Sequence, residues 1–297
     1  MQLSAHAISV KGPHAPMLAP TSVSVADHQL VLLAGDPGAS HTAASLGLSG
    51  RLRVDGGGVQ LDGIADMAAL RRRVAVVDTP GITEPDDALP VRTVIGEELA
   101  IAGRKAGRRA VREWLEANDA TDFGEMRFEH LPVDVRTRLL AELTVARNDV
   151  QVVILTLPDR LGGDPHHWYE VGRDLAARGY GVVITCSESS VRILDVPAAR
   201  LGSLDPPPPA QVAPAAAVEP VAPIEETPDE ADPVEESEAE IEAEVDAEVE
   251  DASASASASA VTIEQTAPVE TVEESDTTPA EDDDKVKTGT SGEKEQV

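Results

Sequence analysis

Nine consecutive residues, Gly35-Asp36-Pro37-Gly38-Ala39-Ser40-His41-Thr42-Ala43, are where residue types and spacing come nearest to a known chemistry. They follow a short apolar run, Leu30 to Ala34, and lead into a small-residue stretch, Thr42 to Leu48. A strand, a turn of the form G-x-x-x-x-G-K-[ST] and a helix together cradle phosphate. Backbone N–H groups face the oxygens, the lysine reaches the β and γ oxygens, and the hydroxyl holds Mg²⁺. Gly35, Gly38 and Thr42 suit that pattern, whereas Ser40 replaces its second glycine and His41 its lysine. Imidazole is shorter than a lysine side chain and mostly neutral at pH 7. Losing one charge-assisted contact to phosphate costs roughly 1.5–3 kcal/mol, although a helix N-terminus still attracts an anion weakly. An ordinary turn accounts for the same nine residues.

Other reactive side chains are sparser. Asp78-Thr79-Pro80-Gly81 matches the D-x-x-G element of GTPases, which positions Mg²⁺ and a γ-phosphate, but no N-K-x-D base-recognition sequence follows the later strands. His166 and His167 adjoin Trp168; neighbouring residues point apart on a helix, so no metal is expected there. Arg136 and Arg138 read as a solvated helix face, Asp164 as the turn before the next helix, and Cys186 as a small buried hydrophobe. A single cysteine excludes an intrachain disulfide and fits a reducing compartment.

These residues need elements to place them. Leu3 to Val10 and Ser22 to Val25 alternate as half-exposed strands do; Leu30 to Ala34, Val74 to Val77, Val150 to Leu157 and Gly181 to Cys186 are continuous apolar runs suited to buried strands. Val54 to Leu61, with Gly56, Gly57 and Gly58, predicts a tight turn between strands, and Val191 to Leu194 a last short strand. Helical patterns cover Thr93 to Arg112, broken or loosened at Gly96, Gly103 and Gly107, then Val135 to Arg147 and Pro165 to Arg178. This alternation predicts an α/β fold with a mainly parallel sheet and an added antiparallel β piece.

Charge divides the chain. Of its 297 residues, 54 are acidic and 24 basic, a formal net charge of −30. Residues 206–297 hold 27 of the acids and 3 of the bases, so an ordinary soluble domain precedes an acidic, Pro/Ala/Glu-rich appendage, with the boundary placed at 204/205. Low hydrophobicity and like-charge repulsion leave nothing to offset chain entropy, so residues 205–297 are expected to be disordered. The acidic balance argues against nucleic acid as a partner. The start of the chain predicts no secretory leader, and no apolar run is long enough to span a membrane.

The order of several blocks resembles ABC transporter ATP-binding subunits over about residues 1–204. Val31 to Gly63 resembles the opening of that family's ATPase domain, its Walker A loop and helix followed by a basic-Leu-x-x-x-x-Gly stretch and a V-x-L-x-G strand. Arg71 to Leu99 is similar to the Q-loop region, Leu131 to Pro165 to the signature motif, Walker B strand and D-loop, and "LAARGYGVVITCSES" to the segment ending at the switch histidine. The resemblance implies a P-loop NTPase fold of the ABC ATPase type, ATP with Mg²⁺ as cofactor, and a nucleotide loop at Gly35 to Ala43 with Thr42 on the metal. It also implies a membrane-spanning partner, pairing with a like or unlike ABC subunit, and a cytoplasmic location. Asp78 takes the Q-loop position, where partner contact is implied along Asp78 to Ala88, and Asp164 keeps the D-loop acid.

Carried over position by position, the resemblance also implies a degenerate member. Leu131-Pro132-Val133-Asp134 replaces the signature L-S-G-G, Thr156-Leu157 the Walker B Asp-Glu pair, and Ser187 the switch histidine; the aromatic that would stack on adenine is missing, with Gly12 and Pro13 occupying its stretch. Leu157 cannot serve as a general base, a contribution of typically 10²–10⁴ in rate. The leading expectation is a structural or regulatory subunit with weak or vestigial ATP binding and lost hydrolysis. A GTPase-like protein and an interaction platform working through its acidic tail are the alternatives.

Overall fold

The computed structural model describes residues 1–215; the expectation of a disordered tail concerns residues that lie, from 216 on, outside the described range. The chain opens with β1 (Gln2–Val10), β2 (Leu18–Ala26) and β3 (Gln29–Gly35), followed by α1 (Ala39–Leu48) and β4 (Gly56–Leu61). Next come α2 (Met67–Arg73), β5 (Val74–Val77), α3 (Val91–Ile101), α4 (Arg108–Ala117) and α5 (Val133–Val145). The described residues end with β6 (Val152–Thr156), α6 (Pro165–Ala177), β7 (Gly181–Ser187), α7 (Glu188–Leu194), β8 (Ala198–Arg200) and β9 (Ala210–Gln211).

The main sheet runs β5-β6-β7-β3-β8 with every pair parallel, and β9 adds antiparallel to the start of β3. A smaller antiparallel sheet has the order β2-β1-β4. The continuous apolar runs are explained by burial on both faces. In β3, Leu30, Leu32 and Ala34 join one core with α3, α4, α5 and α6, while Val31 and Leu33 join a second core with α1, α2 and the small sheet. In β6, Val153 and Leu155 face the first core, Val152 and Ile154 the second. Helix α6 lies close on this sheet at Gly172, where a Cβ would come within 2.7 Å of Ile184 Cδ1.

Three local expectations change. Gly56 to Leu61 is a strand, not a turn: its glycines let β4 pass a bulge in β1. Gly57 has φ +70, and a Cβ there would fall 2.2 Å from the His6 carbonyl oxygen. Val191 to Leu194 is the end of helix α7, capped by the Ser187 side chain accepting from the Ser190 N–H, and the last parallel strand is Ala198–Arg200. The helical stretch Thr93 to Arg112 does break at two of its three glycines, into α3 and α4 between Gly103 (φ +71) and Gly107, while Gly96 sits inside α3 without breaking it. The folded unit also passes the expected boundary at 204, since β9 pairs Ala210 with Leu30 and Gln211 with Gln29.

Candidate functional site

The carboxyl ends of the parallel strands gather the candidate residues. Gly35 at the end of β3 is in register with Ser187 at the end of β7; Thr156 at the end of β6 pairs with Thr185; Asp78 follows β5 directly. Open α/β sheets place ligand crevices at this end. The sequence-derived positions 35–43, 78, 156–157 and 187 therefore share one edge.

Loop 35–43 is a turn between β3 and α1, with Asp36, Pro37, Gly38 and Ala39 exposed and Thr42 half-buried. Gly38 is the N-cap of α1; it offers no side-chain cap, and no acid stands in the first turn. Pro37 contributes no N–H. His41 is fully buried and faces its own loop: Nε2 lies 3.1 Å from the Asp36 carbonyl oxygen, which requires the proton on Nε2. Nδ1 then has no partner among the described residues. Burial lowers the His41 pKa below its ordinary value, and the Asp36 carbonyl and the Asp159 charge only partly offset this. Where the motif would expect a lysine stands a neutral ring that bonds the loop instead of reaching out of it.

Behind the loop, carboxylates give way to hydroxyls. Thr156 donates to Ser45 Oγ of α1 at 3.0 Å and pairs with Thr79 Oγ1 at 3.0 Å; all three residues are buried. Leu157 follows in a left-handed conformation (φ 49), its N–H bonded to Thr185 O and Oγ1, each at 3.0 Å. A ladder of neutral hydroxyls joins α1, β6 and the segment after β5. It is satisfied within the fold.

Asp78 is also engaged internally. Arg136 Nε and NH2 donate to its two carboxylate oxygens at 3.1 and 2.8 Å, and Arg160 NH2 stands 2.9 Å from Oδ1. Arg136 is 3% exposed, so its expected place on a solvated helix face is corrected: it is the buried side chain of α5 that joins the helix to the sheet edge. It reaches Asp87 through NH1 at 2.8 Å and stacks over the Phe128 ring. Burial alone would lower the Arg136 pKa, but hydrogen bonds and charge from Asp78 and Asp87 more than offset it and hold it above its ordinary value. Arg138 is half-buried and donates to the Asn118 carbonyl at 2.8 Å. In the D-x-x-G reading, Asp78 is thus paired with two guanidiniums, and the Gly81 N–H is bonded to Glu84 Oε2 at 3.1 Å.

Asp164 caps α6 through the His166 N–H and pairs with His166 Nδ1 at 2.8 Å. It is half-exposed, and the bond from the His166 backbone N–H holds its pKa below the usual carboxylate value. The acid that sequence reading missed is Asp159. Its Oδ2 accepts from the Ser187 N–H, Ser187 Oγ and Ser190 Oγ at 2.8, 2.7 and 2.7 Å. Its only sequence signal was a place three residues past Thr156. Ser187, expected at the switch-histidine position, serves as a helix cap and carboxylate partner.

Mg²⁺ takes hard oxygen ligands, usually one or two carboxylates. Here the position at the end of β6 carries a hydroxyl already bonded to two others, Asp78 is paired with two guanidiniums, and the bonded oxygen of Asp159 faces the Ser187–Ser190 hydroxyls. The residues present do not fit the metal as the resemblance would place it on Thr42.

No family model matches the chain, and no curated protein matches it. Among solved structures, a dimeric bacterial ABC transporter cassette is similar with a TM-score of 0.53 and 14% identity, covering 68% of this chain and 96% of that one. The ATP-binding subunit of an ABC transporter aligns with a TM-score of 0.49 at 17% identity over 69% of this chain and 90% of the other. A nucleotide-free ATP-binding cassette from an ABC transporter gives 0.49 at 16% over 65% and 84%. The first of these likenesses shows the fold: residues of this chain are arranged as in a bacterial ABC transporter cassette.

Proposed function

We propose that this chain is a structural or regulatory ABC cassette that binds ATP weakly, does not hydrolyse it, and works beside a membrane-embedded component. The observation that carries the reading is the end of β6. Where hydrolysis needs a carboxylate for metal and a second as general base, Thr156 is tied to Ser45 and Thr79, and Leu157 is apolar. His41 adds to it by closing the loop on Asp36 rather than extending a cation towards phosphate.

Contact with the membrane component is assigned to the segment Asp78 to Ala88 and the helices after it. Ile82 in that segment is 56% exposed. A groove of about 800 Å³ opens between α3 and α4, with Ala100, Val111 and Leu115 in its lining and Arg108 and Arg112 beside them. A place on the cytoplasmic side, and pairing with a like or a competent ABC subunit, belong to the same proposal. Among the described residues no helix is long and apolar enough to cross a membrane.

Calorimetric titration of the full chain with ATP and Mg²⁺, run alongside phosphate release, tests the reading. Millimolar or undetectable affinity without release is expected. Micromolar binding with turnover overturns it.

A further inference from the structure

We infer that Asp78, Arg136 and Arg160 form an internal clasp that fixes the junction between the sheet edge and the α5 layer, independently of nucleotide or divalent cation. Three separate parts of the chain meet in it. The segment after β5 supplies Asp78, Glu84 and Asp87; α5 supplies Arg136; the segment after β6 supplies Arg160. Arg160 is the link to the strand: NH1 donates to the Thr156 and Leu157 carbonyl oxygens at 3.3 and 3.2 Å, while NH2 reaches Asp78 at 2.9 Å and Glu84 at 3.0 Å. Arg136 links to the helix, and its other edge contacts Asp87 and the Phe128 ring. The side chains of Asp78, Arg136 and Arg160 are 10%, 4% and 16% exposed, so water and salt screen them little.

The chemistry explains the independence. A carboxylate with carbonyl oxygens close by, at the end of a parallel sheet, suits a bound cation whose occupancy would vary with ligand. Here the cations are guanidiniums attached to the chain, so their positive charge is always present. Asp78 holds φ 51, an uncommon conformation for a residue with a side chain, and bidentate pairing with Arg136 fixes where its carboxylate points. A junction held this way has one stable arrangement whatever occupies residues 35–43. The clasp goes beyond the proposal about turnover: a cassette that hydrolysed ATP could keep it, and one that did not could lack it.

Hydrogen exchange of the full chain tests the clasp, read by mass spectrometry on peptides covering 78–89 and 128–140. Samples are the wild type alone, with EDTA, with Mg²⁺, and with Mg²⁺ and ATP, together with Arg160→Gln and Arg136→Gln. Two results together are expected. Wild-type protection is the same in all four conditions, and the variants exchange roughly tenfold or more faster in 78–89, with no recovery on adding Mg²⁺. Should Arg136→Gln fail to fold, Arg160→Gln, at the more exposed end, carries the comparison. A severalfold change in wild-type protection with Mg²⁺ and ATP overturns the inference, as does unaltered exchange in Arg160→Gln. Neither readout measures phosphate release, so failure here and failure of the proposed function are told apart.

Discussion

His41 is the residue at which the loop's chemistry is decided. Replacing it by lysine exchanges a ring that bonds the Asp36 carbonyl for a permanent charge on a longer stem. Affinity for ATP in His41→Lys is expected to rise about tenfold to a hundredfold, the equivalent of one charge-assisted phosphate contact. Phosphate release should stay absent, because Thr156 and Leu157 are untouched; titration and a release assay on the same sample check both halves. The same buried ring makes stability depend on pH. Its folded pKa is depressed by burial, so below pH 6.5 the unfolded chain takes up a proton that the folded chain refuses. This contribution is complete above that value and is lost as pH falls through the window beneath it. His41→Asn should flatten the acid side of the melting-temperature profile relative to wild type. The strand, turn and helix around this loop were legible because they are local. Arg136 was not: its partner Asp78 is 58 positions away, and an arginine in a helix heptad looks solvated until the sheet edge is placed against it. Removing it, in Arg136→Ala, should cost about 3–5 kcal/mol in chemical denaturation, since the Asp78 carboxylate loses its bidentate partner while remaining buried.

At the scale of elements, the parallel strands declared themselves and their ends did not. β3, β5, β6 and β7 read as apolar runs because both of their faces are covered. β4 read as a turn because bulge-crossing and turn-forming glycines look alike in a sequence; only the approach of Gly57 to the His6 carbonyl separates them. Val191 to Leu194 read as a strand because its four residues carry too little periodicity to show a helix, which the Ser187 cap starts three residues earlier. The hydroxyl ladder between α1, β6 and the segment after β5 joins positions 45, 79 and 156, a relation that appears only once the elements are stacked. It sets a clear expectation for attempts to restore a metal-binding acid. Thr156→Asp introduces a carboxylate at a site 1% exposed, where no cation faces it in the ladder. The melting temperature should fall and no phosphate release should appear, whereas Thr156→Val should cost only about 1–3 kcal/mol for the unpaired hydroxyls it leaves. Release from Thr156→Asp would mean that the site lacks only its acid.

For the whole molecule, the resemblance over residues 1–204 captured the architecture, while composition placed the boundary too early. Pro206 to Pro209 reads as the mark of a boundary, yet β9 follows it, the Val212 N–H bonds the His28 carbonyl, and the Ala215 N–H bonds the Ala177 carbonyl. A two-residue strand after four prolines has no periodicity to betray it. A chain ending at 215 should therefore melt within a degree or two of the full-length protein, and one ending at 204 should melt lower by several degrees. Cys186 offers an independent reading of both. It is fully buried and its thiol pKa is pushed up by burial, so its alkylation rate should report opening of the sheet and rise in the shorter form. Without β9, the backbone of Gln29 and Leu30 would lie bare along one side of the sheet. Bare strand backbone is a template for other chains. The proline-flanked pair at 210–211 thus acts as a guard against edge-to-edge association, and the form ending at 204 should sediment as growing aggregates where the form ending at 215 does not.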